Sequence, residues 1–407
     1  MILAGVPAAG PPAVRADGWQ RVAGLESARI STLTPFGTGL LVGTESPAAR
    51  PRAELALLDP ASGRVRPVPV RARSPYAYEG RWRHLAAAGT RVVGVAGISG
   101  GAHGNVRWTV WRGGPDGVTE EPQSFVTFGG TDAGALTGAG FAGAGERAVP
   151  VVAGSWLSAS TGLDAAVWSP RGRTWLRADS TGTDLASSPT ELVQVSAVAA
   201  GAQPALLLGS VTDLSAGVRV RPALWRFAPT GDGPGDATDG DAGRRPGPGD
   251  WRRIDLAEAA PDAAAGDSVG LEAGGCAPEG RPCLLAGRVR GALAAWWVGR
   301  ARETWVWPIT KPEASPEPAP GPIPAPPLPV GAEVTLIAAV ANGDSGWLLL
   351  DAVGPGQATG RARILQWDGR TWSEFAGPPG VPTSAALVAG RLWVGTADAG
   401  VWSRSAP

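Results

Sequence analysis

Cys276 and Cys283 are the only cysteines in the chain, and the six residues between them decide what redox chemistry they can do. Ala-Pro-Glu-Gly-Arg-Pro is rich in turn formers and leads into the apolar run CLLAG. A short hairpin over it would bring both sulfurs to bonding distance. A disulfide there implies an oxidising compartment; the alternative is two buried thiols that never pair. The second reactive-looking stretch is SPYAYEGRWRH (74–84), which holds the only tyrosines, Tyr76 and Tyr78, beside Glu79, with Arg81, Arg83 and His84 close behind. It is the most polar aromatic cluster of the chain. Tyr78 and Glu79 are weak catalytic candidates, since such a neighbour pair is common by chance and a connecting loop accounts for it as simply.

Two further matches to catalytic motifs fail on context. Gly97-Ile98-Ser99-Gly100-Gly101 has the spacing of a hydrolase nucleophile elbow, but a glycine-rich turn and a strand follow it where a helix is required. Gly138, Gly140 and Gly143 have dinucleotide-loop spacing, with Gly145 and Pro150 where the phosphate-binding helix should begin. Metal chemistry is poorly supplied: His84 and His103 are the only histidines, and the cysteines lack zinc spacing with any other ligand. Asp232, Asp236, Asp239 and Asp241 lie among glycines in an insertion that reads as solvated polar chain, without the bidentate acid that closes a calcium loop. No cofactor is expected.

Charge excludes other classes. The 36 basic and 36 acidic residues cancel, and no basic stripe recurs, so a nucleic-acid or anionic-lipid footprint is missing. No apolar run reaches the roughly 18 residues that span a bilayer. The opening MILAGV has neither the basic nor the apolar region of a convincing signal peptide.

The elements that would position these residues are short strands. Sixty glycines and 39 prolines punctuate the chain too often for long helices. Seven apolar runs recur: LLVGT (40–44), VVGVAG (92–97), VVAGS (151–155), LLLGS (206–210), LLAGR (284–288), LLLDA (348–352) and LWVGT (392–396). Behind each comes a second strand, marked by Trp111, Trp168, Trp225, Trp297, Trp367 and Trp402, with Leu58 in the first copy. A third often opens with tryptophan (Trp19, Trp175, Trp251, Trp305, Trp372), and a run of small residues precedes most copies.

Four strands per copy, repeated around an axis, make an all-β fold, the β-propeller. Seven blades are expected, or six if the copy around 266–311 is irregular. The terminal segments DGWQRV (17–22) and GVWSRS (400–405) are two halves of the interior unit QWDGRTWSEF (366–375). The N- and C-terminal strands should therefore pair to close the ring. In this reading residues 1–16 are disordered or processed, and 17–407 form one propeller with disordered insertions at 228–249 and 311–330.

The hairpins SPRGRTW (169–175) and WDGRTW (367–372) resemble the Asp-box turn, Ser-x-Asp-x-Gly-x-x-Trp, of sialidase-type propellers. Ser169, Gly172, Thr174 and Trp175 match in type, one residue short in spacing, with Arg171 near the acid's place. The second copy keeps Asp368, Gly369, Thr371 and Trp372 and lacks the serine. The box is mainly structural in those families, so the resemblance implies a fold. It also implies a place for Tyr78 and Glu79, because sialidases use a Tyr–Glu nucleophile pair.

The expectation is a monomeric, non-catalytic binding or scaffold propeller outside the cytoplasm, with a protein or glycan ligand at one channel mouth. A glycan-active hydrolase of the sialidase-like class is the alternative. An intracellular assembly platform is a third reading if the cysteines prove reduced.

Overall fold

A computed structural model describes residues 15–406, with breaks at 17, 47–51, 101–104, 144, 160, 229–249, 257–268, 278–279, 281, 290–291, 299–332, 355–356 and 358–359. Seven antiparallel sheets follow one another along the chain as the blades of a propeller. Blades 1 to 6 begin with the innermost strands Arg29–Phe36, Arg81–Ala88, Ala133–Ala142, Glu191–Val198, Val269–Cys276 and Glu333–Asn342. Each then steps outward in sequence order, and blade 2 gains a parallel edge strand, Val70–Arg71. Blade 5 shows three strands among the described residues. The position expected for its fourth, at Trp305, and both expected insertions fall wholly or mainly outside them.

The seventh blade closes the ring. Its strands Pro382–Val388, Arg391–Thr396 and Gly400–Ser405 come from the C-terminus, and Trp19–Arg21 completes it from the N-terminus. Gln20 faces Ser403, Arg21 faces Trp402, and the Val22 amide donates to the Val401 carbonyl at 2.9 Å. A short outer strand, Arg15–Ala16, pairs with Trp19 and Gln20. Closure pairs the outer edge of Gly400–Ser405, which would otherwise be open to another chain.

The apolar runs are the second strands of the blades, and their glycines have a cause that periodicity does not show. Every innermost strand carries a bulge at the same height, where one residue is skipped in the register with the second strand. In blades 3 to 5 the bulge drives a carbonyl (Ala135, Gln194, Gly270) into the space that a Cβ on Gly154, Gly209 or Gly287 would fill.

Seven apolar clusters fill the molecule, one at each blade-to-blade interface. The cluster between blades 7 and 1 joins Val22, Ile30, Leu40 and Leu58 to Val388, Trp393 and Val401, which seals the ring on its apolar side. Counted from the bulge, the same third-strand place is held by Trp111, Trp168, Trp225, Trp296 and Trp402 in blades 2, 3, 4, 5 and 7. The sequence reading assigned blade 5 to Trp297. Trp296 occupies the site with no exposure, and Trp297, one residue on, faces the opposite side of the sheet. Blades 1 and 6 use Ala56 and Leu365 there, with Leu58 and Trp367 two residues further along the same face.

Candidate functional site

The innermost strands of all seven blades line an axial cavity of about 340 Å³, continuous through shared wall residues with a second of about 230 Å³. The bulges set its chemistry, because each places one skipped residue on the wall. Four are hydroxyls: Ser31, Thr137, Ser196 and Thr383. Three of these donate to the second-strand carbonyl beside the bulge: Ser31 to Gly43 at 3.0 Å, Thr137 to Ala153 at 3.5 Å and Ser196 to Leu208 at 3.1 Å. They satisfy acceptors that the bulge leaves short.

The other three blades place Arg83, Glu272 and Ile337 at this height. A hydroxyl serves the fold there, so the two charged residues need a separate reason. Glu272 is paired with Arg288 at 3.1 Å. Arg83 is exposed to the channel and has no carboxylate partner among the described residues. Next to it, His84 directs Nε2 at the Leu136 carbonyl, 3.3 Å away, and burial lowers its pKa to about 4. It is a neutral imidazole at physiological pH.

Above the channel, the strand-to-strand and blade-to-blade connections form one face. The sequence's polar aromatic cluster divides here. Arg83 and His84 enter the channel, while Tyr76 and Tyr78 stand on a helical turn, Pro75–Tyr78, at the rim, each 52% exposed. Ser74 caps that turn, and the buried Glu120 holds it by accepting from the Arg73 and Ser74 amides at 2.6 and 2.7 Å and from the Ser74 hydroxyl. Arg107 stacks 4.1 Å over Phe125 and 5.7 Å from Tyr76, linking this turn to the next, Phe125–Phe128. Glu79 follows the first turn as its C-terminal cap residue. The Tyr78 hydroxyl has no hydrogen-bond partner among the described residues.

The rim carries the large exposed apolar side chains of the described residues. Tyr76, Tyr78, Phe125 and Val126 lie in blade-to-blade connections, and Leu157 and Leu163 flank an outward hairpin of blade 3. Leu192, Leu214 and Val218 occupy the corresponding end of blade 4. All large apolar side chains exposed among the described residues therefore sit on one face, on blades 2 to 4.

Elsewhere the motifs resolve into structure. Cys276 and Cys283 are register partners joined by a disulfide, Cα atoms 3.9 Å apart, at the channel end opposite the apolar rim. Gly97 and Ser99 end the strand Arg91–Ser99, and Gly138 and Gly140 lie within the innermost strand of blade 3. SPRGRTW is a two-residue hairpin in which Arg171 faces Thr174. In WDGRTW, Asp368 accepts the Arg370 and Thr371 amides at 2.8 and 2.7 Å, which lowers its pKa, the Thr371 bond first. No group of three metal-ligating side chains occurs among the described residues. His103 and the aspartate-rich insertion lie outside them. No described helix is long and apolar enough to cross a membrane.

The fold defines the chain as a seven-bladed β-propeller. No family model and no curated protein matches it. Among solved structures it is similar to the β-propeller domain of the Trilobed protease from Pyrococcus furiosus, at 7% identity over 94% of this chain and 96% of that one, TM-score 0.46. It is also similar to a putative 6-phosphogluconolactonase from Bacteroides uniformis (12% identity, 91% and 89% covered, TM-score 0.43). A third is the acylaminoacyl peptidase of Pyrococcus horikoshii (8% identity, 95% and 53% covered, TM-score 0.45). Likeness at this level carries no activity across.

Proposed function

We propose that the protein is a non-catalytic binding propeller, working outside the cytoplasm, that engages a protein partner through the rim of blades 2 to 4. The observation that carries this reading is the confinement, among the described residues, of exposed large apolar side chains to that one rim. A monomer gains nothing from such a patch, and contiguous exposed apolar surface marks association sites. Tyr76, Tyr78, Phe125 and Arg107 are the residue types that anchor interfaces. The disulfide supports an oxidising compartment.

A photo-crosslinking residue at Val126, compared with one at Ser62 on the opposite face, tests it in the cells that make the protein. Discrete adducts at Val126 and none at Ser62 are expected. Equal labelling at both, or at neither, contradicts the proposal.

The sialidase-like alternative rests on the Asp368 turn and on Tyr78 beside Glu79. Incubation with sialosides and aryl glycosides separates the two, and turnover lost in Tyr78→Phe would overturn the binding reading.

A further inference from the structure

We infer that Arg107 anchors the rim interface, and that the partner presents to it a single aspartate or glutamate side chain flanked by apolar residues. The inference rests on the rim reading above and names the chemistry of the partner.

Arg107 is half-buried near the start of the strand Val106–Gly114, at the rim end of blade 2. Its guanidinium lies 4.1 Å from the centre of the Phe125 ring and 5.7 Å from that of Tyr76. Stacking of this kind uses the flat faces of the guanidinium and leaves its in-plane N–H donors free at the edge. Among the described residues those donors have no hydrogen-bond acceptor and no carboxylate partner.

Both rings are fixed in place by the protein itself. Glu120 holds the turn that carries Tyr76. The Phe125 ring packs over Gly129, in the space that a Cβ there would fill. Its turn is tied to blade 3 by Gln123, which accepts from the Trp175 amide at 2.8 Å, and by the Trp168 indole, which donates to the Thr127 carbonyl at 2.9 Å. A guanidinium stacked on fixed rings loses little freedom on binding, which favours a bidentate carboxylate.

The surrounding charge selects one acid and not a run of them. Glu120 is spent on the Ser74 turn, Glu121 on Arg112 and the Trp175 indole, and Arg81 is paired with Glu45. Arg73, Glu79 and Asp132 are exposed on the same two connections. A row of carboxylates would meet Glu79 and Asp132, whereas a lone one is matched by Arg107. Tyr78 and Val126, exposed on the two turns, supply apolar contact for its neighbours.

Panning a phage-displayed library of short random peptides against the full chain tests the inference. Enriched peptides should carry one Asp or Glu next to an aromatic or branched apolar residue. In a synthetic copy of the strongest binder, replacing that acid by its amide should weaken binding by about tenfold or more, and Arg107→Gln should do the same. The two losses should not add, because they remove one contact. Arg171→Gln, on an outer hairpin, should change nothing. Melting temperatures verify that each variant folds, and the amide form of the peptide decides alone if Arg107→Gln does not. Peptides that lose binding in Val126→Ser but carry no acid would overturn this inference and leave the rim reading standing. It is equally overturned if no peptide is enriched, or if an acid-bearing binder is insensitive to either change. A phosphoserine form bound at least about tenfold more tightly than the carboxylate form would overturn it as well. Crosslinking at Val126 decides the rim reading separately.

Discussion

At the scale of single residues, the channel histidine makes the clearest prediction. Folding lowers the pKa of His84 from 6.5 to about 4, because burial penalises the imidazolium. Between those values the unfolded chain binds more protons than the folded one. Its contribution is therefore complete above pH 6.5 and is lost as pH falls toward 4. The loss is at most of the order of 3 kcal/mol and smaller if the channel admits water. Melting temperature measured between pH 7 and 5 should fall, and His84→Gln should flatten that slope. An unaltered slope in the variant would place the titrating group elsewhere. A buried carboxylate is the second residue-scale case. Glu121 accepts from Arg112 through both carboxylate oxygens and from the Trp175 indole at 2.8 Å, tying blade 2 to blade 3. Glu121→Ala leaves a partly buried arginine without its partner and should cost about 2–4 kcal/mol in chemical denaturation.

Among the elements, the bulge and its glycine act as one unit. Gly209→Ala puts a methyl group where the Gln194 carbonyl lies, so the blade 4 sheet must part or lose its bulge. A loss of about 1–3 kcal/mol is expected by thermal melting, against little effect at Gly172, in an open turn, if the replacement is asparagine. The disulfide spans a short hairpin, and a Cys276→Ser/Cys283→Ser pair should lower stability by about 2–3 kcal/mol on loop-closure grounds. The strands and the disulfide hairpin were legible because apolar runs of strand length between turn formers leave few alternatives. The third-strand tryptophan of blade 5 was not. Trp296 and Trp297 are adjacent, and only the register shows which faces the core. The bulges were also hidden, since a terminal glycine reads as a turn signal and not as room for a carbonyl.

For the whole molecule, two terminal half-motifs foretold closure, and the pairing of Gln20 with Ser403 bears it out. The candidate site was only half legible. SPYAYEGRWRH drew attention as one cluster, but strand pairing sends Arg83 and His84 inward and leaves Tyr76 and Tyr78 on the rim. Nothing local to the chain joins its first and last blades; only ring closure makes blade 7 the neighbour of blade 1. The channel wall and the seal between the first and last blades therefore stand or fall with the closed ring. The most direct test is a Gln20→Cys/Ser403→Cys variant treated with a short bis-maleimide, the native cysteines being occupied by their disulfide. Rapid intramolecular cross-linking in the native monomer, abolished by denaturant, is the expected result. A native monomer that fails to cross-link, or that links only to a second molecule, would show that the ring is not closed by its own ends.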